Sequence, residues 1–146
     1  MEKANRLSAS LEDYIEAIFH IVAEKQVARA KDVARRLGVT RSSVTVALRA
    51  LAERGLINYA PYEFITLTPE GGRASRDVAR RHKILQEFFL KVLSVDSGLA
   101  DRAACDMEHT LPREILGPLT DFVDFVERCP RCLEEYRHEQ ANKKGG

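Results

Sequence analysis

A mainly α-helical fold is what this sequence predicts, and three observations predict it. Apolar residues recur at helical spacing over most of the chain, strand-favouring residues are confined to one short stretch, and Gly38 and Gly55 fall where two of the helices should stop. The 146 residues suit one or two small domains, and 45% hydrophobic with 31% charged residues form a core-building composition rather than a disordered one. No run approaches the roughly 18 apolar residues of a membrane span. The start, MEKANRLSAS, lacks the apolar centre of a signal peptide. A cytoplasmic chain with no membrane partner is expected.

The first helix is expected from about Ser10 to Glu24, with Leu11, Tyr14, Ile15, Ile18 and Val22 forming its apolar stripe and Ser10 as its cap. A second runs from 28 to 37. After the turn Gly38-Val39-Thr40, Thr40 is placed to cap a third helix, Arg41 to Arg54, whose Val44, Leu48 and Leu51 point inward. Residues 56–59 and 64–67 then favour strands around a turn at Ala60-Pro61-Tyr62-Glu63, a small hairpin. Thr68-Pro69 opens a long helix to about Leu93, with Gly71 and Gly72 weakening its first turn. Two further helices follow, about 97–110 and 112–127, and the polar tail from Arg128 should be frayed.

Charge is segregated along this framework. The formal net charge is only +1, from 23 basic and 22 acidic side chains, yet residues 25–54 hold eight basic groups against Asp32 and Glu53. Helix, glycine turn, helix and hairpin, carrying that excess, predict a winged helix-turn-helix whose third helix enters the DNA major groove. At its start, Thr40, Ser42 and Ser43 are placed to meet phosphates or base edges, Arg41 is the candidate for a guanine contact, and Thr45 faces outward. Lys31, Arg35, Arg36 and Arg49 are placed to hold the DNA backbone.

A second chemistry lies further along. Cys105, Glu108 and His109 stand at i, i+3 and i+4, so a thiolate, a carboxylate and an imidazole share one helix face. That mixture suits late first-row divalent ions rather than calcium or magnesium. Further ligands are available from His82, which interrupts the apolar stripe Val78, Leu85, Phe89, Val92, and from Asp13 or Glu16 on the first helix. Cys129 and Cys132 form a CxxC, but no second CxxC or paired histidines complete a zinc site, so reduced thiols are expected.

With Leu11 to Glu16, Thr40 to Thr45, Tyr62 to Thr68, Arg81-His82 and Cys105 to His109 in this order, the sequence resembles a known family. It is the family of metal-activated transcription regulators that includes the diphtheria toxin repressor and the manganese transport regulator. The resemblance covers roughly Ser8 to Arg131. It implies a winged helix-turn-helix in residues 1–70, an all-helical metal-binding and dimerisation domain in 71–131, and a polar tail in 132–146. It further implies a homodimeric repressor of metal-uptake genes, acting on double-stranded palindromic operator DNA, with no enzymatic activity and no small organic substrate.

By the same resemblance, Asp13, Glu16 and His82 match ligands of the manganese-sensing branch, while Glu108 and His109 match ligands of both branches. Cys105 matches the iron-sensing branch, where the manganese regulators have glutamate. The chain thus resembles a hybrid, with Fe²⁺ favoured over Mn²⁺ and Co²⁺, Ni²⁺ or Zn²⁺ able to substitute in vitro. Gln86 and Asp101 fall at the positions of the iron branch's ancillary site, Asp101 the better ligand. Two other readings compete: a winged-helix regulator that answers an organic ligand or thiol oxidation, and a metallohydrolase. The second is disfavoured by the lack of HExxH, a nucleophile elbow or a phosphate loop.

Overall fold

Ser8, not Ser10, opens the first helix. In the computed structural model, which describes residues 6–60 and 62–146, α1 runs Ala9–Lys25 and the Ser8 hydroxyl accepts a hydrogen bond from the Leu11 amide at 3.2 Å. Ser10 lies inside the first turn, so the cap sits two residues earlier than the polar pattern suggested. Tyr14, Ile15, Ile18 and Ile21 are buried along one stripe. Gly38, at φ 65°, takes the left-handed conformation that lets α2 (Ala30–Leu37) stop. Thr40 caps α3 (Arg41–Glu53) through its side chain, as expected. Val44, Leu48 and Leu51 of α3 join Ile15, Ile18 and Val33 in one core cluster.

The hairpin is shorter than its composition suggested. Strands β1 (Ile57–Asn58) and β2 (Thr66–Leu67) pair antiparallel, Ile57 opposite Leu67 and Asn58 opposite Thr66. Ala28 and Ile65 add an isolated bridge. Ile57 and Ile65 are buried in the core here, with Leu56, Tyr59 and Leu67 packed partly against it. Tyr62 in that turn has φ 67°; Pro61 lies outside the described residues.

Thr68 joins the hairpin to α4 (Pro69–Glu87). Its hydroxyl accepts from the Gly71 amide at 3.1 Å and donates to the Gly55 carbonyl at 2.6 Å. Gly71 is required rather than merely weakening: a Cβ built there would lie 1.8 Å from the Leu56 carbonyl oxygen. The chain divides into two compact units at Ala79/Arg80, within α4.

In the second unit, α4 gives way to a π-helical turn, Phe88–Val92. Helices α5 (Ser97–Met107, capped by Asp96) and α6 (Arg113–Arg128) follow. Val92, Val123 and Val126 form a small core against Phe88 and Leu133. The tail expected to fray is instead helix α7 (Pro130–Lys144). It has proline at its start, lysines in its last turn and good helix formers between, but buries no residue, so no apolar stripe announced it. Cys129 and Cys132, expected as free thiols, are joined in a disulfide. The start of α7 brings their Cα atoms to 5.5 Å, within bridging range. Among the described residues, no helix is long and apolar enough to cross a membrane.

Candidate metal centre and nucleic-acid interface

In the first unit, the start of α3 is built from hydroxyls. Thr40 Oγ1 lies 3.1 Å from Ser42 Oγ and 2.9 Å from Ser43 Oγ, all three exposed. They combine with the open end of the α3 backbone to form an anion-seeking surface. Beside it, a groove of about 790 Å³ is lined by Lys31, Arg41 and Arg49 from the helices, together with Arg29, Tyr59 and Phe64. The Arg29 guanidinium stands 4.8 Å from the centre of the Phe64 ring, tying the entrance of α2 to the wing.

The sequence-predicted DNA residues divide between roles. Lys31, Arg41, Thr45 and Arg49 line the groove. Thr45, expected to face outward, lines that groove half-buried, and its hydroxyl donates back to the Arg41 carbonyl at 3.0 Å. Arg35 is exposed outside the groove lining, and Arg36 pairs with Glu24 at 3.0 Å. Sequence reading counted Arg29 among the basic residues but gave it no role, and it passed over Tyr59 and Phe64. A basic residue beside an aromatic wing was the available signal.

In the second unit, His82 on α4 faces α5 and the residues just past its end. His82 Nδ1 lies 2.7 Å from Glu108 Oε2 and 3.6 Å from Cys105 Sγ, while Nε2 lies 2.9 Å from Asp101 Oδ1. His82, Asp101 and Cys105 each offer a donor atom within 4.8 Å of the others. Gln86 donates weakly to Asp101 at 3.4 Å. Helix α5 ends at Met107, so Glu108 is its C-cap and His109 occupies the following turn. His109 Nε2 stands 3.5 Å from Glu108 Oε1.

These residues fit a divalent ion. Glu108 is completely buried, and its Oε1 has no hydrogen-bond partner among the described residues. A buried carboxylate oxygen in that condition is costly unless a cation is supplied. The set of imidazole nitrogen, carboxylate oxygen and thiol sulfur suits a late first-row metal. Asp13 and Glu16 stand on α1 in the first unit, three residues apart, with Glu16 Oε1 3.6 Å from His20 Nε2. Arg81, named in the sequence only as part of the Arg81-His82 motif and given no role there, is buried and donates to the Glu108 carbonyl at 2.7 Å.

Comparison with known proteins places both sites in one framework. Residues 6–64 match the iron-dependent repressor N-terminal DNA-binding domain, and 68–137 match the iron-dependent repressor metal-binding and dimerisation domain. The HTH-type transcriptional regulator MntR of Lysinibacillus sphaericus is 34% identical over 86% of this chain and 90% of its own length. The chain belongs to the diphtheria toxin repressor and manganese regulator family of metal-dependent transcription regulators. Two solved structures show the shared fold. The IdeR of T. acidophilum superposes with a TM-score of 0.67 at 26% identity, covering 80% of this chain and 52% of that one. A manganese-dependent transcriptional repressor in complex with manganese gives 0.70 at 27%, covering 79% and 53%. The chain therefore spans about half the length of these two solved regulators. In the family's terms, the α3 groove belongs to the DNA-binding domain, and the cluster around His82 and Glu108 belongs to the metal-binding and dimerisation domain.

Proposed function

We propose that this chain is a homodimeric, metal-responsive repressor of metal-uptake genes that binds double-stranded palindromic operator DNA through α3 and the wing. The convergence of His82, Asp101, Cys105 and the buried Glu108 carries the reading, because two carboxylates and a thiol surround one imidazole, and His82 alone can offset at most one of their charges. A divalent cation supplies that balance when bound. His82, Cys105, Glu108 and His109 would hold it, and Asp13 and Glu16 of α1 would be its further ligands.

In this scheme the unliganded carboxylates and thiolate repel one another and leave α1 uncommitted. Once their charge is neutralised, Asp13 and Glu16 fasten α1, and with it α3, to the dimerisation helices. Two α3 helices are thereby set about 34 Å apart, one DNA turn, so that both half-sites are met together. A coupling of about 1–3 kcal/mol corresponds to a 5- to 150-fold gain in operator affinity. Fluorescence anisotropy with the chain's own upstream DNA should show that gain in Fe²⁺ or Mn²⁺ over chelator; equal affinity in both overturns the proposal.

Cys105 sets the choice of ion. Its sulfur, beside the His82 imidazole, favours Fe²⁺ over Mn²⁺, while Asp13, Glu16 and Asp101 add oxygen donors that keep Mn²⁺ competent. The relatives named MntR lend weight to the manganese side. Replacing sulfur by oxygen in Cys105→Glu is expected to raise the Mn²⁺ response relative to Fe²⁺ in paired anaerobic titrations. An unchanged ratio removes Cys105 as the selector.

A further inference from the structure

Cys129 and Cys132 belong to neither the donor cluster nor the basic groove. Cys129 ends α6, its amide donating to the Val126 carbonyl at 3.1 Å, and it also occupies the N-cap of α7. Pro130 is the first residue of that 15-residue helix, and the Cys132 amide donates back to the Cys129 carbonyl at 3.0 Å. The two sulfurs are bonded to each other. Both residues are half-buried, so a small thiol can reach them.

We propose that Cys129-Pro130-Arg131-Cys132 is a thiol–disulfide exchange site, oxidised and reduced by small disulfides and thiols of the glutathione class. A structural staple is the poorer account, because a bridge across three residues closes too small a loop to restrict the unfolded chain much. Where small thiols keep cysteines reduced, a protein disulfide is ordinarily one that turns over. The placement also suits turnover. Cys129 sits where the unsatisfied amides of a helix start favour a thiolate, with Arg128 and Arg131 beside it in sequence. Cys132, three residues on, is placed to resolve.

The exchange balances as follows. The Cys129 thiolate attacks one sulfur of an external disulfide, forming a mixed disulfide and expelling a small thiolate that takes up a proton. Cys132 then loses its proton and attacks the Cys129 sulfur, releasing the second small thiol. Two protein thiols are oxidised and one small disulfide is reduced to two thiols. Leu133 packs on the Val92 cluster next to Cys132, and Arg137 donates to Ser94 Oγ at 3.1 Å, so the site lies at the joint that seats α7.

The test equilibrates the full-length, chelator-treated protein in glutathione buffers of rising oxidised fraction, traps thiols with iodoacetamide and maps peptides by mass spectrometry. Cys129 and Cys132 should lose alkylation together, in a species lighter by two hydrogens and carrying no glutathione. In the single variants, Cys132→Ser should accumulate a glutathione adduct on Cys129 about tenfold faster than Cys129→Ser accumulates one on Cys132. Equal adduct rates, or two cysteines that stay alkylatable throughout, overturn the proposal. So does one equivalent of Zn²⁺ that protects both thiols in the reduced protein until chelator is added.

Discussion

Glu108 has no exposed surface, and each of its polar atoms must be answered from within the protein. Its Oε2 meets His82, and its backbone carbonyl accepts from the Arg81 guanidinium at 2.7 Å. Neighbouring residues of α4 thus hold the side chain and the main chain of the same residue. Under the proposed function Arg81 would be a positioning residue, fixing where the end of α5 presents Glu108 and His109 to an ion. Arg81→Ala should weaken Mn²⁺ binding about tenfold or more, in line with the roughly 1.5–3 kcal/mol of a charged hydrogen bond. Chelator-competition calorimetry reads this directly, and partial recovery in Arg81→Lys separates lost positioning from general loosening of the fold. These residues differ in how far the sequence reveals them. His82 betrays itself by interrupting an apolar stripe, and Cys105, Glu108 and His109 by their spacing. Arg81 acts on a backbone carbonyl 27 residues away, an acceptor every residue type offers equally.

Helix starts decide much at the scale of elements. In α4, Gly71 lies against the Leu56 carbonyl, whereas a Cβ at Gly72 would meet only the Arg76 guanidinium at 3.2 Å, a flexible end that can move. Gly71→Ala should therefore destabilise the fold by about 3 kcal/mol or more, while Gly72→Ala should stabilise it by about 0.5–1 kcal/mol through helix propensity. Urea unfolding distinguishes the two. In α5, Asp96 accepts from the Leu99 amide at 3.0 Å, and hydrogen bonds from the Leu99 and Gly98 amides hold its carboxyl below the usual aspartate range. Because the folded value is depressed, its stabilisation is present at neutral pH and is lost as pH falls from the ordinary aspartate range through the lowered one. Asp96→Asn should remove that part of the acid sensitivity, seen as a flatter fall of melting temperature below about pH 4. Periodicity made α1 to α3 legible because each packs an apolar stripe on the core, while of their N-caps only Thr40 was read correctly. Helix α7 buries nothing, so only its propensity and its proline start spoke for it. The wing was legible in composition but not in length, since two-residue strands are set by where Ile57 and Ile65 reach the core.

For the molecule as a whole, α6 is apolar on two sides. Leu116, Val123 and Val126 face inward, while Ile115, Phe122 and Phe125, at the same i, i+7, i+10 spacing, remain 46%, 47% and 54% exposed. A helix with a second unburied apolar stripe asks for another surface, and this stripe lies within the stretch that matches the family's dimerisation domain. The apolar spacing of α6 does not by itself say which of its two stripes the chain covers, because both are equally apolar. If Phe125 is buried between two copies, Phe125→Glu places an uncompensated charge there and should shift sedimentation equilibrium from dimer toward monomer. Its exposed position in the single chain predicts little change in the melting temperature of the monomer. Operator affinity should then fall steeply at low protein concentration and recover as the concentration is raised, because two half-sites are bound well only by a pair. A variant that stays dimeric, with unchanged operator binding, would place the subunit contact on a different face.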